Sequence, residues 1–187
     1  MYQCNGVIPE LKGTMVRLRK LTVDDAEQLY RCWSDELTAK HLFLPPLNDK
    51  QDAADLILLL NELAESNDSI RWGIELIDSG VIIGSCGYNF WQLQGAYRGE
   101  LGCELASPYW GQGYMGEAAS LAITFGFQVM GLNRLEAFSD IQNKRGKRFF
   151  LRLGFQHEGV LRDYRHTGTS YVDVNIFSLL RKDWECS

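Results

Sequence analysis

The sequence predicts a mixed α/β fold in one domain, and three observations carry that reading. Residues 71–105 hold three strand-like runs in succession with no helix between them, which requires an antiparallel meander. A helical pattern over residues 116–130 then separates the run 98–105 from the run 134–138, and a strand, helix, strand crossover makes a parallel pair. Between that strand and that helix stands Gly111-Gln112-Gly113-Tyr114-Met115-Gly116, a turn able to aim backbone N–H groups and a helix N-terminus at an anion.

Taken in order, Val16-Arg17-Leu18-Arg19 alternates as an edge strand, and Thr22 with Asp24, Asp25 and Glu27 caps a helix running to about Trp33. Pro45-Pro46 enforces a loop, and Asn48-Asp49 caps a second, longer helix with Ala53, Leu56, Ile57, Leu60 and Leu63 on one face. Asp78-Ser79-Gly80 joins runs 71–77 and 81–89 as a hairpin. The helix over 116–130 places Ala118, Leu121, Ala122, Phe125 and Val129 on one face. A helix over 144–153 stops at Gly154. Runs 155–161 and 171–180 form a last pair of strands, joined through His166-Thr167-Gly168-Thr169. The expected result is a mixed sheet with helices on both faces.

The chain has 187 residues, 45% of them hydrophobic and 12% aromatic, enough apolar material for one sizeable core. A net charge of −5 argues against a nucleic-acid backbone as principal ligand and favours cationic ones, amines and basic peptides among them. The longest apolar run, residues 56–60, is far short of a membrane span. The start of the chain lacks the pattern of a secretion signal. Cys4, Cys32, Cys86, Cys103 and Cys186 are scattered with no paired spacing, so reduced thiols in the cytoplasm and no metal are expected. His41, His157 and His166 show no mutual spacing or acidic pairing along the sequence, and structural roles are expected of them.

Read literally, Gly111 to Gly116 is also the dinucleotide fingerprint, with Glu136 at about the right distance for a ribose-binding acid. Two conditions fail: residues 106–110 intervene between strand and first glycine, and a meander precedes the motif. Joined to Leu132-Asn133-Arg134-Leu135-Glu136-Ala137, to Asn143 and to Leu153-Gly154-Phe155-Gln156-His157-Glu158-Gly159, the glycine segment instead resembles the RimJ/RimL branch of the GNAT superfamily of N-acetyltransferases. Tyr171-Val172-Asp173-Val174 and Met15-Val16-Arg17-Leu18-Arg19 resemble its last and first strands, so the likeness spans essentially the whole chain.

The resemblance implies a splayed, mostly antiparallel sheet of about seven strands, with acetyl-CoA lying in the V between strands 98–105 and 134–139. The pantetheine arm would bond the backbone near Cys103, Glu104 and Leu105, and Gly111, Gln112, Gly113, Tyr114, Met115 and Gly116 would hold the pyrophosphate. Asn143 would contact the cofactor arm. Lys147, within the basic group Lys144, Arg145, Lys147 and Arg148, would meet the phosphates. The implied reaction is direct attack of a neutral amine on the thioester.

Glu104 and Glu100 share one side of their strand and are candidates for a general base or an ammonium attractor, against the plainer reading of solvent-facing carboxylates. The family's usual thiolate acids are missing: the tyrosine position is Phe150 and the serine position is Gly146. Tyr171, and after it Tyr164, is then the nearest hydroxyl candidate, although strand tyrosines more often pack. Cys103 is expected to be a small buried hydrophobe. The expected acceptor is a protein or peptide N-terminal amine. The alternatives are a small amine such as a polyamine, an aminoglycoside or a peptide antibiotic, and a CoA-binding module without catalysis. The sequence leaves monomer and homodimer both open.

Overall fold

A computed structural model describes residues 2–42, 47–168 and 170–186. Its strands are β1 (Leu11–Lys12), β2 (Val16–Lys20), β3 (Ile70–Leu76), β4 (Ile82–Gln92), β5 (Arg98–Leu105), β6 (Arg134–Asp140), β7 (Gln156–His166) and β8 (Tyr171–Leu180). Its α-helices are α1 (Ala26–Trp33), α2 (Glu36–Ala39), α3 (Lys50–Glu65), α4 (Tyr114–Gln128), α5 (Lys144–Arg152) and α6 (Arg181–Trp184). The sheet order is β1-β2-β3-β4-β5-β6-β8-β7, with β5 and β6 the one parallel pair among the described residues. The expected Pro45-Pro46 loop and Thr169 lie outside the described residues.

The meander and the crossover form as anticipated, with three differences. The sheet has eight strands rather than about seven, because Leu11–Lys12 adds a two-residue strand outside β2, so Val16–Lys20 is not the edge. The glycine helix begins at Tyr114 rather than near Gly116, because Gly113 at φ 90° serves as its N-cap. The strand expected over 155–161 extends to His166 by way of two register shifts that keep it paired with β8.

Two cores hold the sheet. Leu29 and Trp33 of α1 and Ala53 and Ile57 of α3 pack with Leu21 and Ile82 on one side. Ala118, Ala122 and Phe125 of α4 join Trp72, Ile74 and Leu101 in the larger core, which continues to Phe150 of α5 and Phe177 of β8. Tyr88 is wholly buried and its hydroxyl donates to the Ala122 carbonyl at 2.8 Å, fastening β4 to the middle of α4. No described helix is long and apolar enough to cross a membrane.

Candidate active site

The site starts from a gap in the sheet. β5 and β6 are paired only from Arg98, Gly99 and Glu100 to Arg134, Leu135 and Glu136, after which they diverge. The closed end of this V is locked by charge: Glu136 accepts from Arg98 and Arg134 at 2.8 and 2.7 Å, and Arg134 also reaches Glu158, itself bonded by Ser178. Glu136, the residue that mimics a ribose-binding acid in the sequence, is thus a structural anion at the hinge of the V. The open end exposes the inner backbone of β5. Ala106 N–H donates to Ile83 of β4, so by strand alternation the N–H groups of Cys103 and Leu105 turn toward the gap.

Past β5 the chain makes a short turn, Ser107–Tyr109, and then the glycine loop. Gly111 and Gly113 adopt φ of 80° and 90°, values L side chains rarely adopt. They turn the backbone so that the N-terminus of the 15-residue α4 faces the cavity, a natural seat for an anion. Trp110 braces the loop by donating its indole N–H to the Leu105 carbonyl at 2.6 Å, and the Arg145 guanidinium lies 4.4 Å from its ring centroid. Glu117 ties α4 to the start of β2, accepting from Thr14 N and Oγ1, Met15 N and Val16 N at 2.6 to 2.9 Å. Burial raises its pKa, but these four donors outweigh it and the net shift is downward.

A cavity of about 1010 Å³ runs from this loop along the V to the opposite mouth of the sheet, ample for a nucleotide-sized ligand. Of the residues expected at the site, Glu100, Cys103, Glu104, Leu105, Gly111, Gly113, Met115, Gly116, Asn143 and Phe150 line it. Gln112, Tyr114 and Lys147 do not. Gln112 Nε2 donates to the Pro108 carbonyl instead, and Lys144 and Arg145 supply the lining cations in place of Lys147. Asn143 also caps α5, accepting from Gly146 N at 2.7 Å, and a Cβ on Gly146 would stand 2.9 Å from its amide.

Tyr171 lies away from the cavity, 64% exposed and tilted against His166 at 4.9 Å. Tyr164 is exposed as well and stacks on Phe138, which does line the cavity. Cys103 is only partly covered, yet burial among its neighbours, with Glu104 adding to the effect, pushes its thiol up to about 12. At neutral pH it is a thiol, and a poor nucleophile.

Glu104 is not the solvent-facing carboxylate of the plainer expectation. It is buried, its Oε1 accepts from Trp33 Nε1 at 3.0 Å and from Ser85 Oγ, and its Oε2 pairs with Arg71. Arg71 in turn donates to Ser85 and to Asn89, whose amide bonds Glu100 at 2.9 Å. Gly102 makes room for this chain, since a Cβ there would come within 2.9 Å of both Asn89 and Arg71. Nothing along the sequence signals Arg71 or Asn89, because their partners lie on neighbouring strands.

The expectation that His41 lacks an acidic partner is also corrected. His41 follows α2, lines the cavity, and brings Nδ1 within 3.4 Å of Asp140 Oδ2 at the end of β6. The two are 99 positions apart, so no spacing rule could join them. His157 instead meets Asn175 at 2.9 Å.

A strand opening beside its neighbour, a glycine turn into a helix and a cavity along both describe an acyl-CoA-dependent transferase fold, and residues 16–156 match the Acetyltransferase (GNAT) domain. The chain belongs to this family and is a GNAT N-acetyltransferase. It is similar to the uncharacterized N-acetyltransferase p20 of Bacillus licheniformis, 34% identical over 89% of this chain and 93% of that one. It is also similar to the [Ribosomal protein uS5]-alanine N-acetyltransferase of Escherichia coli, 24% identical over 98% of both. Among solved structures, Mycobacterium smegmatis RimJ in complex with CoA-disulfide shares the fold at a TM-score of 0.84 and 18% identity, over 95% of this chain and 90% of that one.

Proposed function

We propose that the whole chain is one cytoplasmic acetyltransferase domain that moves an acetyl group from acetyl-CoA to the N-terminal amine of a protein or peptide. The observation that carries this is the continuity of one cavity from the glycine loop, past the inner backbone of β5, to an acceptor mouth walled by Trp33, Leu37, Leu56 and Glu100. That mouth is lined by apolar and charged side chains together, which suits an extended acceptor with an amine at its end. The net charge of −5 of the chain as a whole favours encounter with cationic partners. The relative that acetylates a ribosomal-protein alanine aligns over nearly the full length of both chains, and the described cysteines are all unpaired thiols, as in a reducing compartment.

In this reading the Cys103 and Leu105 N–H groups polarise the thioester carbonyl from the gap, while Lys144, Arg145 and the loop hold the phosphates. Glu104 serves as a fixed anion behind the acceptor rather than as a mobile base, because three donors including a guanidinium already occupy it. Glu100, reached by Asn89 and lying 4.0 Å from Arg165, steadies the incoming ammonium.

Thiol release from acetyl-CoA, measured against basic peptides with free N-termini, spermidine and an aminoglycoside, tests the acceptor. We expect kcat/KM on the best peptide to exceed that on the small amines by about tenfold or more. Turnover confined to spermidine or the aminoglycoside would replace the peptide reading with the small-amine one.

A further inference from the structure

We propose that His41, oriented by Asp140, is the group that takes the proton from the acceptor ammonium. This rests on the chain's being an amine acetyltransferase but not on which amine it uses.

Four observations converge on the pair. The parallel register sets Glu100 opposite Glu136; continued four residues along both strands, it brings Asp140 level with Glu104 across the V, at the height where the inner N–H groups of β5 end. The α2 segment bridges the two strand ends over this gap. Its Thr38 hydroxyl, which donates to Asp35 at 2.6 Å, lies 3.3 Å from the Leu105 carbonyl, and His41, whose N–H bonds the Thr38 carbonyl at 3.1 Å, reaches Asp140 on the other side. Asp35 fixes the segment by accepting from Thr38 N at 3.0 Å and Ser107 Oγ at 3.0 Å.

The third observation concerns hydrogen bonding. His41 Nδ1 is buried and has no hydrogen-bond partner among the described residues. At 3.4 Å from Asp140 Oδ2 it needs only a small closure to make one, the kind of tightening a bound substrate brings. Asp140 is itself held, its Oδ1 accepting from Gln142 N at 2.7 Å. An Nδ1–H directed at Asp140 selects the tautomer that leaves Nε2 as an acceptor. The fourth is that the nearer alternative, Glu104, is already engaged by Trp33, Ser85 and Arg71.

Nε2 of His41 takes one proton from the ammonium, and the imidazolium is stabilised by Asp140. The freed nitrogen lone pair forms the C–N bond at the thioester carbonyl, and the C–S bond breaks with its electron pair going to sulfur. The second proton, shed by the nitrogen of the adduct, goes to the thiolate, and His41 returns its proton to solvent. The charged groups lining the same cavity are Lys40 beside His41, the paired Glu104 and Arg71 of β5 and β3, Glu100 with Arg165, and Lys144, Arg145 and Arg152 of α5.

The test uses the full chain with acetyl-CoA and a basic peptide carrying a free N-terminal alanine. His41→Gln should lower kcat by about 10²- to 10³-fold, leave KM for acetyl-CoA within about twofold, and remove the rise of rate with pH that a single proton acceptor gives. Asp140→Asn should lower kcat less, by about tenfold, again with KM for acetyl-CoA little changed. A His41→Gln rate and profile like wild type would overturn the proposal. Ring-nitrogen NMR of wild type and Asp140→Ala, with His41→Gln identifying the signal, supplies an arm that needs no acceptor. There we expect the neutral His41 ring to carry its proton on Nδ1 in wild type and to lose that preference in Asp140→Ala. A tautomer balance indifferent to Asp140 would remove the dyad whether or not the peptide is acetylated. A peptide left untouched by wild type while the His41 tautomer responds to Asp140 would overturn the peptide reading and support the dyad.

Discussion

Glu117 is a single carboxylate that accepts from three successive backbone amides and one hydroxyl across a separation of more than a hundred residues. A Cβ on Gly13 would stand 2.6 Å from its Cδ, so the neighbouring chain is shaped to admit it. Glu117→Gln should therefore lower unfolding free energy at pH 7 by about 1–3 kcal/mol, the usual range for losing bonds to a charged acceptor, as urea titration would show. The net shift of Glu117 is downward, so its contribution is present above the unfolded carboxylate value of about 4.3 and is lost as pH falls through the depressed folded value. The wild type and Glu117→Gln curves should accordingly be furthest apart near neutrality and converge in acid. Glu158, drawn down to about 2 by Arg134 and then by Ser178 against a smaller opposing effect of burial, behaves in the same direction at the closed end of the V.

At the scale of elements, the glycine turn separates two roles that its pattern in the sequence merges. Gly113 has a left-handed backbone but meets only Met15 at 3.5 Å in the direction of a Cβ, whereas Gly116 has open space there. Gly113→Ala should thus cost stability, by about 1–2 kcal/mol of backbone strain, and weaken acetyl-CoA binding with it. Gly116→Ala, inside the first turn of α4, should leave the unfolding free energy unchanged or raise it by up to about 1 kcal/mol through helix propensity. It should weaken acetyl-CoA binding nonetheless if the bare backbone is what admits the phosphates. Differential scanning and titration calorimetry on the two variants separate these outcomes. The turn, the meander and α4 were legible because each depends on local periodicity or a glycine at a fixed offset. α2 was not: its one local signal, Asp35 accepting from Thr38 N and Oγ1, lies in a segment too short for any hydrophobic period to register. For the same reason His41, which that segment carries, shows its partner only after folding.

For the whole molecule, topology follows from the order of elements, while the electrostatic contacts of the site do not. Glu104 was placed in the site by the family resemblance together with its position on the strand, but Arg71, Ser85 and Trp33, which fix it, come from β3, β4 and α1. Such contacts depend on which strands become neighbours, which no spacing within one strand encodes. The acidic surface also acts as a whole. With a net charge of −5, association with a cationic peptide should slow as salt is raised from about 0.01 to 0.15 M, the Debye length shrinking from about 30 to 8 Å. Stopped-flow measurement of kcat/KM across that range checks it, and an uncharged peptide should show little change.

The three-residue seam between β5 and β6 has one more effect. Beyond it the sheet carries a strand edge inside the body of the protein instead of at its rim, where bulges, short strands and charged residues commonly guard such edges. An acyl donor lying in the gap would cap that edge as a sheet cap does, and an empty gap would leave it open to a foreign strand. Self-association on storage or gentle warming should then begin in the donor-free protein, and adding CoA should suppress it even when no acetyl group is available to transfer.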